Sequence, residues 1–268
     1  MHLDVVDLKQ FYESRLGRMA TRMLRRRLRE LWPSVAGMRV VGVGYATPFL
    51  RPMLDEAERV LAFMPAGQGV HRWPTDAPSR VALADEVELP LRDSSVDRVL
   101  LVHTLENTEQ LRPMLREMWR VLAPEGRILI IAPNRRGIWA RFERTPFGHG
   151  RPFSPPQLNR LLRDNMFSPG ATKAALYFPP SRGGVWLRAA GTLERFGEKI
   201  GATAVAGALL VEGGKQVYAA TPSGRRMRLR PVAPVARPAW AANRGRAHAR
   251  LALGEHEQRL LAEEIGES

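Results

Sequence analysis

LADEVELPLRDSSVDRVLLVHTLENTEQLRPMLREMWRVLAPEGRILIIAP, residues 83–133, is the stretch that decides the fold. Val99, Leu100, Leu101 and Val102 form a short apolar run rich in β-branched residues, suited to a strand buried on both faces of a parallel sheet. Leu111, Leu115, Met118 and Leu122 then recur at three- and four-residue spacing, one face of an amphipathic helix. Pro113 fits only the first turn of that helix, which predicts a start near Leu111. Pro124, Glu125 and Gly126 end it, and residues 127–132 form a second apolar strand. Strand, helix and strand with short joints make a right-handed βαβ unit.

Working outward, residues 39–43 read as a first strand and Val60, Leu61, Ala62 and Phe63 as a second. Residues 174–178 and 208–218 read as the final strands, with a helix around residues 187–200 between them. Val40, Val41, Leu61, Val99, Leu101, Leu115, Leu122, Ile128 and Ile130 are the expected core.

Several of these residues carry a family resemblance. Leu89 and Pro90, the acidic Asp97 opening its strand, and the run Arg120-Val121-Leu122-Ala123-Pro124-Glu125-Gly126-Arg127 resemble the methyltransferase type 11 family, a class I group that uses S-adenosylmethionine (SAM). Further on, Arg151-Pro152-Phe153-Ser154-Pro155 leading into Leu158, Leu161, Leu162 and Phe167 is similar to the family's segment after strand five, whose loop borders the substrate pocket. The resemblance spans roughly residues 36–221. It implies a doubly wound, Rossmann-like α/β fold with a seven-stranded sheet whose last strand enters antiparallel, an N-terminal helix over residues 1–35 and a basic extension over residues 222–268.

The resemblance also implies a cofactor site. The family's first strand ends in an acidic residue followed by three spaced glycines; this chain places Gly42 in the acidic position and Gly44, Ala46 and Pro48 in the glycine positions. Glycines let the backbone turn tightly and approach the ligand closely. The family's ribose-binding carboxylate after strand two has no counterpart, since Met64-Pro65-Ala66-Gly67 follows Phe63. Asp85 and Glu86 stand where the family places an acid near the adenine amino group. Gly42, Gly44, Ala46, Asp85 and Glu86 are therefore the expected cofactor contacts.

Two histidines are candidates for chemistry. His103 follows strand four directly, at the carboxyl edge where doubly wound sheets bind ligands, and reads either as a general base or as a hydrogen-bonded wall of the crevice. His149 lies between Gly148 and Gly150 on the expected pocket loop, and reads as a substrate contact or a surface residue. Methyl transfer asks little of such groups, because the sulfonium already activates the methyl and alignment does much of the rest.

Composition bounds the partners. The 268 residues carry a formal net charge of +14 and no cysteine, which excludes disulfides and cysteine zinc ligation. No metal-ligand cluster, P-loop or serine hydrolase elbow stands out. No apolar run is long enough to span a membrane, and MHLDVVDLKQ lacks the pattern of a signal peptide, so a cytoplasmic protein is expected. Leu8, Tyr12, Leu16, Met19 and Met23 mark an N-terminal helical stripe. Its other face carries Arg15, Arg18, Arg22, Arg25, Arg26, Arg27 and Arg29, a solvated surface or a contact for RNA or an anionic surface. Residues 222–250 hold eight arginines and no acid, as a disordered basic arm does, with a short helix expected near the end. Two functions follow: a SAM-dependent methyltransferase acting on an unidentified small-molecule or RNA acceptor, or an inactive relative that keeps the fold as a scaffold for RNA or protein.

Overall fold

The computed structural model describes residues 3–181, 184–201 and 203–217, with side chains omitted for 184–187. The expected basic arm and terminal helix lie outside these residues. Seven strands form one sheet: β1 (Arg39–Gly44), β2 (Arg59–Met64), β3 (Val81–Leu83), β4 (Val96–Val102), β5 (Leu122–Pro133), β6 (Phe167–Ala175) and β7 (Ala208–Lys215), in the order β3-β2-β1-β4-β5-β7-β6. β1, β2, β3, β4 and β5 pair in parallel, and β7 enters antiparallel to both β5 and β6. That is the seven-stranded, doubly wound sheet the sequence implies.

Alternation along the central strands divides the core into two layers. Leu100 and Val102 of β4 and Leu129 and Ile131 of β5 pack with the N-terminal helices, while Val99, Leu101, Ile128 and Ile130 pack with α4 (Leu111–Val121) and α5 (Pro155–Asp164). α4 begins at Leu111, with Pro113 in its first turn, and β5 follows it at once from Leu122. Ser154 and Gln157 close a capping box at the start of α5. The helix α6 (Gly184–Lys199) covers the expected 187–200 segment.

The N-terminal stripe is two helices, α1 (Val5–Glu13) and α2 (Arg15–Leu31). Ser14 separates them in an extended conformation, and its hydroxyl caps α2 by accepting from the amide of Gly17 at 3.0 Å. On the basic face of α2, Arg15, Arg18, Arg22 and Arg26 are exposed, whereas Arg27 is buried, paired with Glu30 at 2.9 Å and with Glu198 of α6. Among the described residues, no helix is long and apolar enough to cross a membrane.

Candidate functional site

The carboxyl edge of β1 and β4 is tied tightly together. Gly44 ends β1 at φ +79°, and a Cβ there would lie 2.3 Å from the carbonyl oxygen of Val102, so only glycine fits. The amide of Tyr45 donates to that same carbonyl at 2.9 Å, and the hydroxyl of Thr104 donates to Val43 at 2.9 Å.

His103 stands at this edge with φ +54°, a region that costs a non-glycine residue of order 1–3 kcal/mol and persists only where the surroundings enforce it. Its imidazole is buried between two partners: Nδ1 lies 2.9 Å from Glu106 Oε1, and Nε2 lies 2.7 Å from the hydroxyl of Tyr12. With Nδ1–H donated to the carboxylate, Nε2 accepts the tyrosine O–H. Burial first, then the nearby Tyr45 and Glu106, holds the Tyr12 hydroxyl well above the usual phenol range, so it stays a donor.

Tyr12 comes from α1, which lies across the edge. Its ring stacks on Tyr45 at 5.4 Å and meets Phe49 edge-on at 5.8 Å. The Val5 amide donates to the carbonyl of Gln68 at 2.7 Å, and the Gln68 side-chain amide reaches the His103 carbonyl at 3.4 Å. Three buried acceptors beside His103 lack donors, Glu106 Oε2, Gln68 Oε1 and Asn107 Oδ1, the last on a side chain whose amide donates to the His103 carbonyl at 3.1 Å. An unsatisfied buried acceptor costs about 1–3 kcal/mol, so this edge can accept hydrogen bonds from a ligand.

The residues named from sequence distribute unevenly around this edge. Gly44 and His103 form it. Gly42 is buried under α3 (Thr47–Leu50): a Cβ there would meet Ala46 Cβ at 2.5 Å and Leu50 Cδ1 at 2.6 Å, so this position serves helix packing. Ala46 is itself buried in that contact. Asp85 is exposed and accepts from the Val87 amide at 3.0 Å, while Glu86 accepts from the Thr108 hydroxyl at 3.0 Å, just past Glu106. His149 follows the turn Pro146–Gly148, with Nε2 facing the carbonyl of Glu143. It shares a cavity of about 390 Å³ with Glu106, so Glu106 bonds one candidate histidine and borders the space beside the other.

Sequence reading passed over Tyr12, Gln68 and Glu106. Glu106 had a signal, since it stands three residues after His103; Tyr12 read only as one apolar position in a helical stripe. Among the described residues no group of three or more His, Asp and Glu side chains is placed to hold a metal ion.

Comparison with known proteins agrees with this fold. The sequence model of the family described as "Methyltransferase domain" matches residues 40–130. None of the curated proteins matches the chain. Among solved structures, a SAM-dependent methyltransferase and possible histamine N-methyltransferase from Thermotoga maritima is 19% identical, with 79% of this chain and 96% of that one covered at a TM-score of 0.54. A SAM-dependent methyltransferase from Archaeoglobus fulgidus is likewise 19% identical, covering 77% and 97% at 0.52. One from Mesorhizobium loti is 17% identical, covering 71% and 96% at 0.51. The match over residues 40–130 makes this stretch similar to the methyltransferase domain family, and the chain has the fold that these solved structures share.

Proposed function

We propose that the protein is a SAM-dependent methyltransferase whose cofactor crevice is covered by α1. The observation that carries this reading is that two of the orphaned acceptors, Gln68 Oε1 and Glu106 Oε2, flank His103 at the carboxyl edge of β4. SAM fits these residues chemically, because its ribose hydroxyls and amines are donors for acceptors that have none. Gln68 stands four residues past β2, close to where the resembled family carries its ribose-binding carboxylate. A neutral amide makes a weaker bond than a carboxylate, about 1 kcal/mol against 1.5–3. Asp85 or Glu86 would meet the adenine amino group, and the backbone from Gly44 to Ala46 would border the ligand.

Bound there, SAM supplies a methyl group already activated by its sulfonium. The protein's part is positioning and proton handling. Withdrawal of Tyr12 opens the crevice and frees His103 Nε2, while Glu106 keeps the imidazole oriented with Nδ1 protonated. Nε2 can then take the proton of an acceptor that has one to lose. His149, on the loop beside the Glu106 cavity, would contact that acceptor, a small molecule or RNA.

Calorimetric titration of the nucleic-acid-free full chain with SAM and S-adenosylhomocysteine tests this, with Tyr12→Ala in parallel. Micromolar binding, several-fold tighter in Tyr12→Ala, is expected. No binding by either protein at millimolar ligand sinks the proposal.

A second reading, a scaffold that binds RNA or a protein without chemistry, is favoured by one observation: neither β1, with Gly42 in the acidic position, nor β2, ending at Met64, carries a carboxylate at its end, while Tyr12 fills the edge. It predicts the blank titration.

A further inference from the structure

Tyr12 and Tyr45 also wall a second space, an open cleft of about 600 Å³ between the N-terminal helices and the loops that follow β1 and β2. Six cations border it, Lys9, Arg18, Arg22, Arg25, Arg51 and Arg72, against one carboxylate, Glu13, among the described lining residues. Two of the six are committed elsewhere: Lys9 lies 4.0 Å from Glu13, and Arg51 pairs with Asp76 at 2.8 Å. The other four have no ion-pair partner among the described residues. Arg18, Arg25 and Arg72 donate only to backbone carbonyls, of Glu13, Pro48 and Ala77, and Arg22 is exposed.

Arg25 is the most informative of these. It is half-buried, and its Nε and Nη2 both reach the Pro48 carbonyl, a neutral acceptor. Burial, followed by the like charge of Arg51, pushes its pKa down. A desolvated guanidinium with only a neutral acceptor and a like charge nearby is an electrostatic cost that a bound anion lowers. Guanidinium forks also match phosphate oxygens geometrically. The cleft has an aromatic lining as well: the half-buried His71 ring lies 5.5 Å from the Tyr45 ring, tilted by 46° to it, and 3.3 Å from the Thr47 hydroxyl, with Trp73 also lining the cleft. Such a surface accepts a nucleobase by stacking.

We propose that this cleft binds a nucleotide, its phosphate held by Arg22 and Arg25 and its base laid along His71. This goes beyond the methyltransferase reading, because SAM carries no phosphate and the cleft ligand is a second molecule. The phosphate belongs either to a free nucleotide or to an RNA strand.

The test uses the full chain at low salt, with adenosine 5′-monophosphate and adenosine as probes and a short labelled oligouridylate as competitor. The monophosphate should bind at least about tenfold tighter than adenosine, the gain from one charge-assisted contact. Arg22→Ala and Arg25→Gln should each weaken it by about the same factor. Because Arg22 is exposed and has no hydrogen-bond or ion-pair partner among the described residues, its removal should leave the melting temperature unchanged, so the loss cannot be blamed on unfolding. Displacement of the monophosphate by oligouridylate identifies the strand as a source, and persistence of monophosphate binding identifies the free nucleotide. Equal affinity for monophosphate and adenosine, or monophosphate affinity untouched by both substitutions, overturns the proposal. SAM affinity is measured separately, so a chain that binds the monophosphate and not SAM would lose the methyltransferase reading and keep the cleft.

Discussion

The hydroxyl of Tyr12 lies 2.7 Å from Nε2 of His103, joining residues 91 positions apart in the chain. The contact fixes three things at once: the position of α1 over the sheet edge, the direction of the imidazole, and the closure of the crevice. Replacing Tyr12 by Phe keeps the ring packing against Tyr45 and Phe49 and leaves Nε2 buried without a donor. A stability loss of about 1–2 kcal/mol is expected, read as a lower urea midpoint with an unchanged slope. A neutral outcome would mean that Nε2 finds water there.

Restoring the family's acidic residue should fail. Gly42→Asp places a Cβ within 2.6 Å of both Ala46 and Leu50 and buries a carboxylate beneath α3. It should cost at least about 2 kcal/mol and lower the melting temperature, without improving SAM affinity. A stable variant with tighter SAM binding would refute the packing account of this glycine.

Asp85→Ala separates binding from folding. Asp85 is exposed, its visible bond being to the Val87 amide, so thermal stability should stay within about 0.5 kcal/mol. If this carboxylate meets the cofactor, SAM should bind about tenfold more weakly. Unchanged affinity would remove Asp85 from the site.

Glu56 gives a pH dependence with a definite sign. Its carboxylate pairs with Arg29 at 2.6 Å and accepts from the Val35 amide at 2.8 Å, which pulls its pKa down to about 2. An unfolded glutamate titrates near 4.3, so between these values the unfolded chain binds the proton first. The stabilisation is therefore present above about pH 4.5 and is lost as the pH falls toward 2. Glu56→Gln should cost roughly 1 kcal/mol at pH 7, a discounted figure for a partly solvated pair, and the gap to the wild type should narrow to about half at pH 3 and nearly close at pH 2. A gap that persisted at low pH would assign the effect to packing.

What was legible in the sequence was local. The spacing of Leu111, Leu115 and Met118, the placement of Pro113 and the apolar run from Val99 to Val102 each follow from one period and one steric rule, and the observed α4 and β4 agree with them, whereas Leu122 and residues 124–126, read as the end of the helix, belong to β5. The break at Ser14 was less visible, because a helical stripe continues through it and only the cap geometry marks two helices.

By itself, then, the sequence determined the alternation of strands and helices and a glycine at position 44, since periodicity and backbone sterics act between neighbours along the chain; the antiparallel last strand was implied by the family resemblance alone. Only the tertiary structure decided that Tyr12 lies against His103, that Gly42 makes room for a helix, and that buried Glu212 of β7 accepts from the Trp32 indole at 3.0 Å. Those outcomes depend on which distant side chains share a dry space. Burial makes each such pairing strong and each missing partner costly, and no spacing along the chain encodes it.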